Sequence, residues 1–199
     1  MGRDQQMRTR IAQEAARLMA EEGIQDFYAA KRKAAQHLGA PDTRNMPRNQ
    51  EVEAALQEYQ RLFRGSQQLG HLRALRKSAI QAMRFLAGFR PRLVGSVLSG
   101  TAGQHADINL HLFADTPEEV SLFLMNNSIP FQPAQKRLRV ARETWQEFPA
   151  YEFMAGDHPV ELVIFPSEGR REAPRSPVDG RPMQRARLEE VEALLDESS

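Results

Sequence analysis

Residues 93–113 read LVGSVLSGTAGQHADINLHLF. Leu93 and Val94 belong to RPRLVGS (90–96), a short apolar strand ending in Gly95-Ser96, and a segment of small, flexible residues follows. Residues 107–113 then alternate with period two: Ile108, Leu110 and Leu112 point one way, and Asp107, Asn109 and His111 point the other. Two strands joined this way make a sheet. Backbone N–H groups at a Gly-Ser turn can approach an anion, and the Ser96 hydroxyl adds a donor, which suits a phosphate. Asp107 and Asn109 lie two apart on one strand face, so their oxygens can converge on a hard divalent cation such as Mg²⁺. A polar strand face beside a phosphate cradle is what metal-assisted phosphoryl or nucleotidyl transfer requires.

Downstream, Thr116-Pro117-Glu118-Glu119 opens a helix, with Thr as cap, Pro at the first position and Glu at the third. That helix is expected to end near Asn126-Asn127. Residues 136–142, KRLRVAR, alternate basic and apolar side chains and read as a strand. Arg137 and Arg139 share one of its faces, either an ordinary exposed face or one that meets a triphosphate or nucleic acid. Residues 150–165 read as a hairpin turning at Gly156-Asp157, and Trp145 and Tyr151 read as core or rim packing before base stacking. The Pro- and Arg-rich tail that follows reads as a surface connector, or as a lid folded back over the nucleotide site. A short helix, LEEVEALLD, closes the chain.

Upstream, the pattern is helical. Ile11, Ala15, Leu18 and Met19 make one amphipathic stripe stopped at Gly23, and Asp26 caps a second helix running to Gly39. A polar loop with two prolines follows. Asn49 is the expected cap of a third helix, striped by Val52, Leu56, Tyr59 and Phe63. Leu72, Leu75, Ala79, Met83 and Leu86 stripe a fourth, which stops near Gly88. The fold expected is α+β: a helical N-terminal domain over 1–88, then a mixed β-sheet with flanking helices over 89–199. Residues 29–40, AAKRKAAQHLGA, resemble a helix-turn-helix corner, with Lys31, Arg32 and Lys33 placed to meet phosphates. A helix ending at Gly39 accounts for the same residues without any partner.

Composition narrows the field. The 199 residues hold 27 Lys and Arg against 26 Asp and Glu, with 41% apolar and 7% aromatic residues, enough for an ordinary core. No cysteine is present, which removes disulfides, thiolate metal sites and cysteine nucleophiles. No stretch approaches the ~18 apolar residues of a membrane span, and the charged N-terminus lacks a secretory signal. No membrane partner and a cytoplasmic location are expected. The charge is divided, with a net +6 over residues 1–88 and −5 over 89–199, which hints at two units with different partners.

Gly95-Ser96, Gly100-Thr101-Ala102 and Asp107-Ile108-Asn109 together resemble the signature of the nucleotidyltransferase superfamily, the fold shared with DNA polymerase beta, and especially its small bacterial members. The likeness spans about residues 89–166. It implies a third carboxylate on a later strand, and Glu161 in PVELVIF matches that slot; an edge-strand gatekeeper is the other reading of Glu161. It also implies Mg²⁺ or Mn²⁺ held by Asp107, Asn109 and Glu161, and the β- and γ-phosphates of a nucleoside triphosphate held by Gly95 and Ser96. A hydroxyl acceptor on a nucleic acid, a protein or a small molecule would receive the nucleotide, with the basic helical half as its docking face. The second family Asp is Asn109 here; an amide oxygen ligates but carries no charge. His111 on the same face is a possible compensating ligand, though imidazole suits Mg²⁺ poorly. The expected activity is metal-dependent nucleotidyl transfer, and the alternative is a decayed nucleotide-binding or nucleic-acid-binding regulatory module.

Overall fold

The structure, a computed structural model, describes residues 3–41, 43–63 and 65–196; Asp42 of the expected polar loop lies outside them. The helices run α1 (Arg3–Glu22), α2 (Phe27–His37), α3 (Asn49–Phe63), α4 (Gly65–Phe85), α5 (Ser96–Ser99), α6 (Pro117–Asn126) and α7 (Leu188–Asp196). The strands are β1 (Arg92–Val94), β2 (Ile108–Ala114), β3 (Phe131–Arg139), β4 (Trp145–Ala155) and β5 (His158–Pro166). The architecture is therefore mixed α and β. No described helix is long and apolar enough to cross a membrane.

By contact density the chain divides into two compact units. One comprises Met1–His71, Gly100–Ala106 and Pro177–Asp179; the other comprises Leu72–Ser99, Asp107–Ser176 and Gly180–Ser199. The division falls inside α4. The change of pattern near residue 88 marks the end of α4 and the approach to β1.

The first unit is built on α1, α2 and α3. Ile11, Ala12, Ala15, Leu18, Ala30, Ala34, Ala35 and Val52 form its core, and the many alanines let helix axes approach closely. Asp26 caps α2 by accepting from Ala29 N at 2.7 Å, and Gly23 takes the left-handed conformation that ends α1. Asn49 does not cap α3. Arg48 precedes the helix, and its N–H donates to Glu51. Asn49 instead accepts from Lys31 Nζ at 2.7 Å and donates to Pro177 O at 2.6 Å. The cap therefore falls one residue earlier than expected, at Arg48.

The second unit holds the five-stranded sheet, in the order β1-β2-β5-β4-β3. β2 and β5 are parallel, and the other neighbours are antiparallel. On one face Leu93, Ile108, Leu110, Leu112, Val160, Leu162 and Ile164 are buried. Helix α6 contacts β2, and α7 contacts β1. Arg76 on α4, itself buried, donates to the Val97, Leu98 and Leu194 carbonyls and so ties α4 to α5 and α7. The Thr116 capping box forms as expected.

Three strand limits differ from expectation. β4 begins at Trp145, five residues before the hairpin arm expected from 150. β3 begins at Phe131 and ends at Arg139, whereas alternation placed it at 136–142. Pro133 and the polar residues around it hide the first half, and β3 tolerates a proline because it is an edge strand. β1 is confined to Arg92–Val94, since Arg90 is left-handed at φ 51. The tail is more than a connector. Ala186 exchanges both backbone hydrogen bonds with Leu93 at 2.9 Å, which pairs the outer side of β1.

Candidate functional site

Register places the site. Val94 is paired with Asn109, and Asn109 with Glu161. Paired residues share a sheet face, so Asn109 and Glu161 are side by side across the parallel β2-β5 pair. Gly95 follows directly, at φ +75, and a Cβ there would lie 3.3 Å from Asn109 Nδ2. The backbone therefore runs against the amide, and only glycine allows both the conformation and the approach. Ser96 starts the single turn of α5, where Ser99 N donates to Gly95 O at 3.0 Å. Asp107 sits at the head of β2, half-buried, and its carbonyl accepts from Asn109 Nδ2 at 3.2 Å. That bond turns the amide nitrogen away and leaves Oδ1 as the atom a cation would meet.

Glu161 has a partner that sequence reasoning missed. Lys136 Nζ reaches it from β3, at 2.8 Å from Oε1 and 2.9 Å from Oε2. The Glu161 side chain keeps 15% of its exposure, against 42% for Lys136. Glu152, also missed, is paired with Glu161 on β4. Counting outward from the Gly156-Asp157 turn would have found it, because a two-residue turn fixes every pair in the hairpin.

The donor set of Asp107, Asn109 and Glu161 offers two carboxylates and an amide oxygen, the right atoms for a hard cation. With Lys136 offsetting Glu161, one negative charge is left uncompensated. Among the described residues, no three His, Asp or Glu side chains converge as a metal cage.

His111 is not a ligand. It is 2% exposed, and its Nδ1 accepts from Arg185 Nε at 3.0 Å. Burial, with the charges of Arg185 and Lys136, pushes its pKa down to about 3. A guanidinium on Nδ1 requires the neutral ring, with the proton on Nε2. Arg185 also lies over the rings of Phe113 and Phe165, at 5.1 and 4.7 Å, and donates to the carbonyls of Gly169 and Glu172. No sequence pattern marked it among the tail arginines.

Other expected site residues find structural employment. Thr101 and Ala102 are buried in the helical unit, where Gln60 Nε2 donates to Thr101 O at 2.9 Å. Tyr151 is buried, with its hydroxyl on Pro117 O at 3.2 Å. Arg137 stacks over the exposed Trp145 at 5.4 Å. Lys31 is held by Pro47 O and Asn49, Arg32 lies over Tyr28, and Lys33 pairs with Glu22. The basic run of α2 is spent inside its own unit. Compared with family models and with curated proteins, the chain matches none.

Proposed function

We propose that residues 92–166 form a nucleotidyltransferase-like site that transfers a nucleoside monophosphate from a nucleoside triphosphate to a hydroxyl acceptor. The observation that carries this reading is the register Val94-Asn109-Glu161, with Gly95 packed against Asn109 and Asp107 at the strand head. The Gly95-Ser96 backbone and the Ser96 hydroxyl would hold the phosphate tail. Asp107, Asn109 Oδ1 and Glu161 would hold Mg²⁺ or Mn²⁺ beside it, once Glu161 exchanges its lysine. When bound, the cation would supply charge neutralisation at the phosphate and a lowered pKa for the acceptor hydroxyl. Lys136, released, would stay close enough to pair with the phosphate tail. The acceptor hydroxyl would belong to a nucleic acid, a protein or a small molecule.

The second reading is a nucleotide-binding module without turnover. The Lys136–Glu161 pair and the amide at Asn109 favour it, since together they leave the site poor in negative charge. Purified protein incubated with labelled ATP, CTP, GTP or UTP and Mg²⁺ or Mn²⁺ separates the two. Transfer is expected, lost at least 100-fold in Asp107→Ala and raised in Asn109→Asp. Nucleotide binding with no product under any of these conditions, in wild type and in Asn109→Asp, supports the second reading.

A further inference from the structure

A separate feature lies toward the opposite end of β1 and β2. The start of β1, the turn at Ser167–Arg171 after β5 and the tail before α7 enclose a cavity of about 820 Å³. Its walls carry Arg92, Arg170, Arg171, Arg185 and Arg187, with Glu168 as the lining carboxylate. None of the five guanidinium groups forms an ion pair among the described residues. Three of them are held by neutral acceptors instead. Arg92 donates to the Pro91 carbonyl at 2.9 Å, Arg170 to Ser167 O at 3.3 Å, and Arg185 to His111 and to backbone carbonyls. Carbonyls orient a guanidinium without cancelling its charge. Arg185 Nη2 is buried with no hydrogen-bond partner among the described residues, a position that costs free energy unless a ligand completes it. Crowding has electrostatic consequences. Burial and then the Arg187 charge lower the Arg92 pKa, and burial and then Arg92 bring Arg185 down to about 10. An anion would relieve both.

We propose that this cavity binds a compact polyphosphate group, a di- or triphosphate, at a site distinct from Gly95, Asp107, Asn109 and Glu161. Guanidinium forks match phosphate oxygens two by two, and five of them suit several phosphates better than one carboxylate. The volume falls in the range of small-ligand sites, about 300–1,000 Å³. The basic patch is also bounded. Glu168 lines the cavity, and Glu189 and Glu190 stand in the first turn of α7 and act on Arg92. A nucleic-acid backbone needs a basic stripe that continues beyond a few phosphates; acidic edges favour a short anion.

Isothermal titration calorimetry with inorganic tripolyphosphate tests this, at about 0.15 M salt, where long-range charge effects are screened, and without divalent cations. Saturable one-to-one binding is expected. Arg170→Gln with Arg171→Gln, both exposed on the turn, is expected to weaken it at least tenfold, while Arg61→Gln, beside Glu58 in the helical unit, leaves it unchanged. Pyrophosphate and ATP arms identify the source: equal affinity for ATP and tripolyphosphate means that the phosphate chain alone is read, and tighter ATP adds the nucleoside. Absence of binding overturns the inference. So does equal binding by the double variant, or capture of an oligonucleotide that tripolyphosphate does not displace. Loss of binding in Lys136→Gln, with the double arginine variant unaffected, would place the anion at the Gly95 end and overturn it as well. Failure of nucleotidyl transfer leaves the inference standing, because no step of this assay uses it.

Discussion

The cations of the helical unit and those of the arginine cavity in the sheet unit are used in opposite ways. In the first, Arg8 pairs with Glu51, Arg17 with Glu14 and Glu21, and Lys33 with Glu22. In the second, five arginines of one cavity form no ion pair with a carboxylate among the described residues, and three of them rest on carbonyls, a ring nitrogen or aromatic faces. Net charge does not separate them: the residues of the first unit sum to +1 and those of the second to 0. Summed charge therefore says little about where an anion would bind. Pairing decides it, because a cation already matched by a carboxylate offers little field to a ligand.

The largest effect that would sharpen this contrast is a pH dependence centred on His111. Its folded pKa is depressed, to about 3 from 6.5, so the unfolded chain takes up a proton that the folded one refuses. The stability contributed is fully present above pH 6.5 and is lost as pH falls toward 3. The slope is about 1.4 kcal/mol per pH unit, or about 2 kcal/mol between pH 6.5 and 5. Urea unfolding at several pH values checks it, and His111→Gln should flatten the curve in that window. The Glu14 carboxylate, held down to about 2 by Arg17 first and then by His37, contributes in a lower window, lost from 4.5 toward 2. A flat wild-type curve above pH 5 would contradict the neutral, buried imidazole.

Next in size is Arg185→Ala. It strips the partner from a buried His111 Nδ1 and removes the cation from two aromatic faces, with an expected loss of about 2 kcal/mol. Denaturant midpoints measure it. Arg185→Lys should recover only part, because an ammonium cannot reach His111 and the carbonyls in one plane. Gly180→Ala comes third, at about 1–2 kcal/mol. Gly180 is left-handed at φ +72, and a Cβ there would lie 2.8 Å from Arg139 Nη2. The smallest effect belongs to the helical unit: Glu58→Gln, at the exposed pair with Arg61, should cost less than about 1 kcal/mol, as surface pairs do, readable as a small shift in melting temperature. A loss there matching that of Arg185→Ala would erase the distinction between the two uses of charge.

How much of this was legible beforehand follows the range of each interaction. The stop at Gly23, the Asp26 cap, the Thr116 box and the Gly156-Asp157 hairpin involve residues a few positions apart, and each was read in place. The face shared by Asp107, Asn109 and His111 was equally readable, because strand alternation is local. The neighbours of that face were not. Lys136 reaches Glu161 across 25 positions, and Arg185 reaches His111 across 74.

From the order of its residues alone, this chain set the positions of its longer helices, most of its turns, the mixed α and β composition, and which side chains share a strand face. Sterics, capping and alternation act within a turn or two and need no other part of the molecule. Only the folded tertiary structure decided that Asn109 stands beside Glu161, that His111 is locked neutral under a tail arginine, and that five guanidinium groups gather without an ion pair among the described residues. Strand order and chain return bring distant residues together, and desolvation acts on a residue only after its neighbours have closed around it.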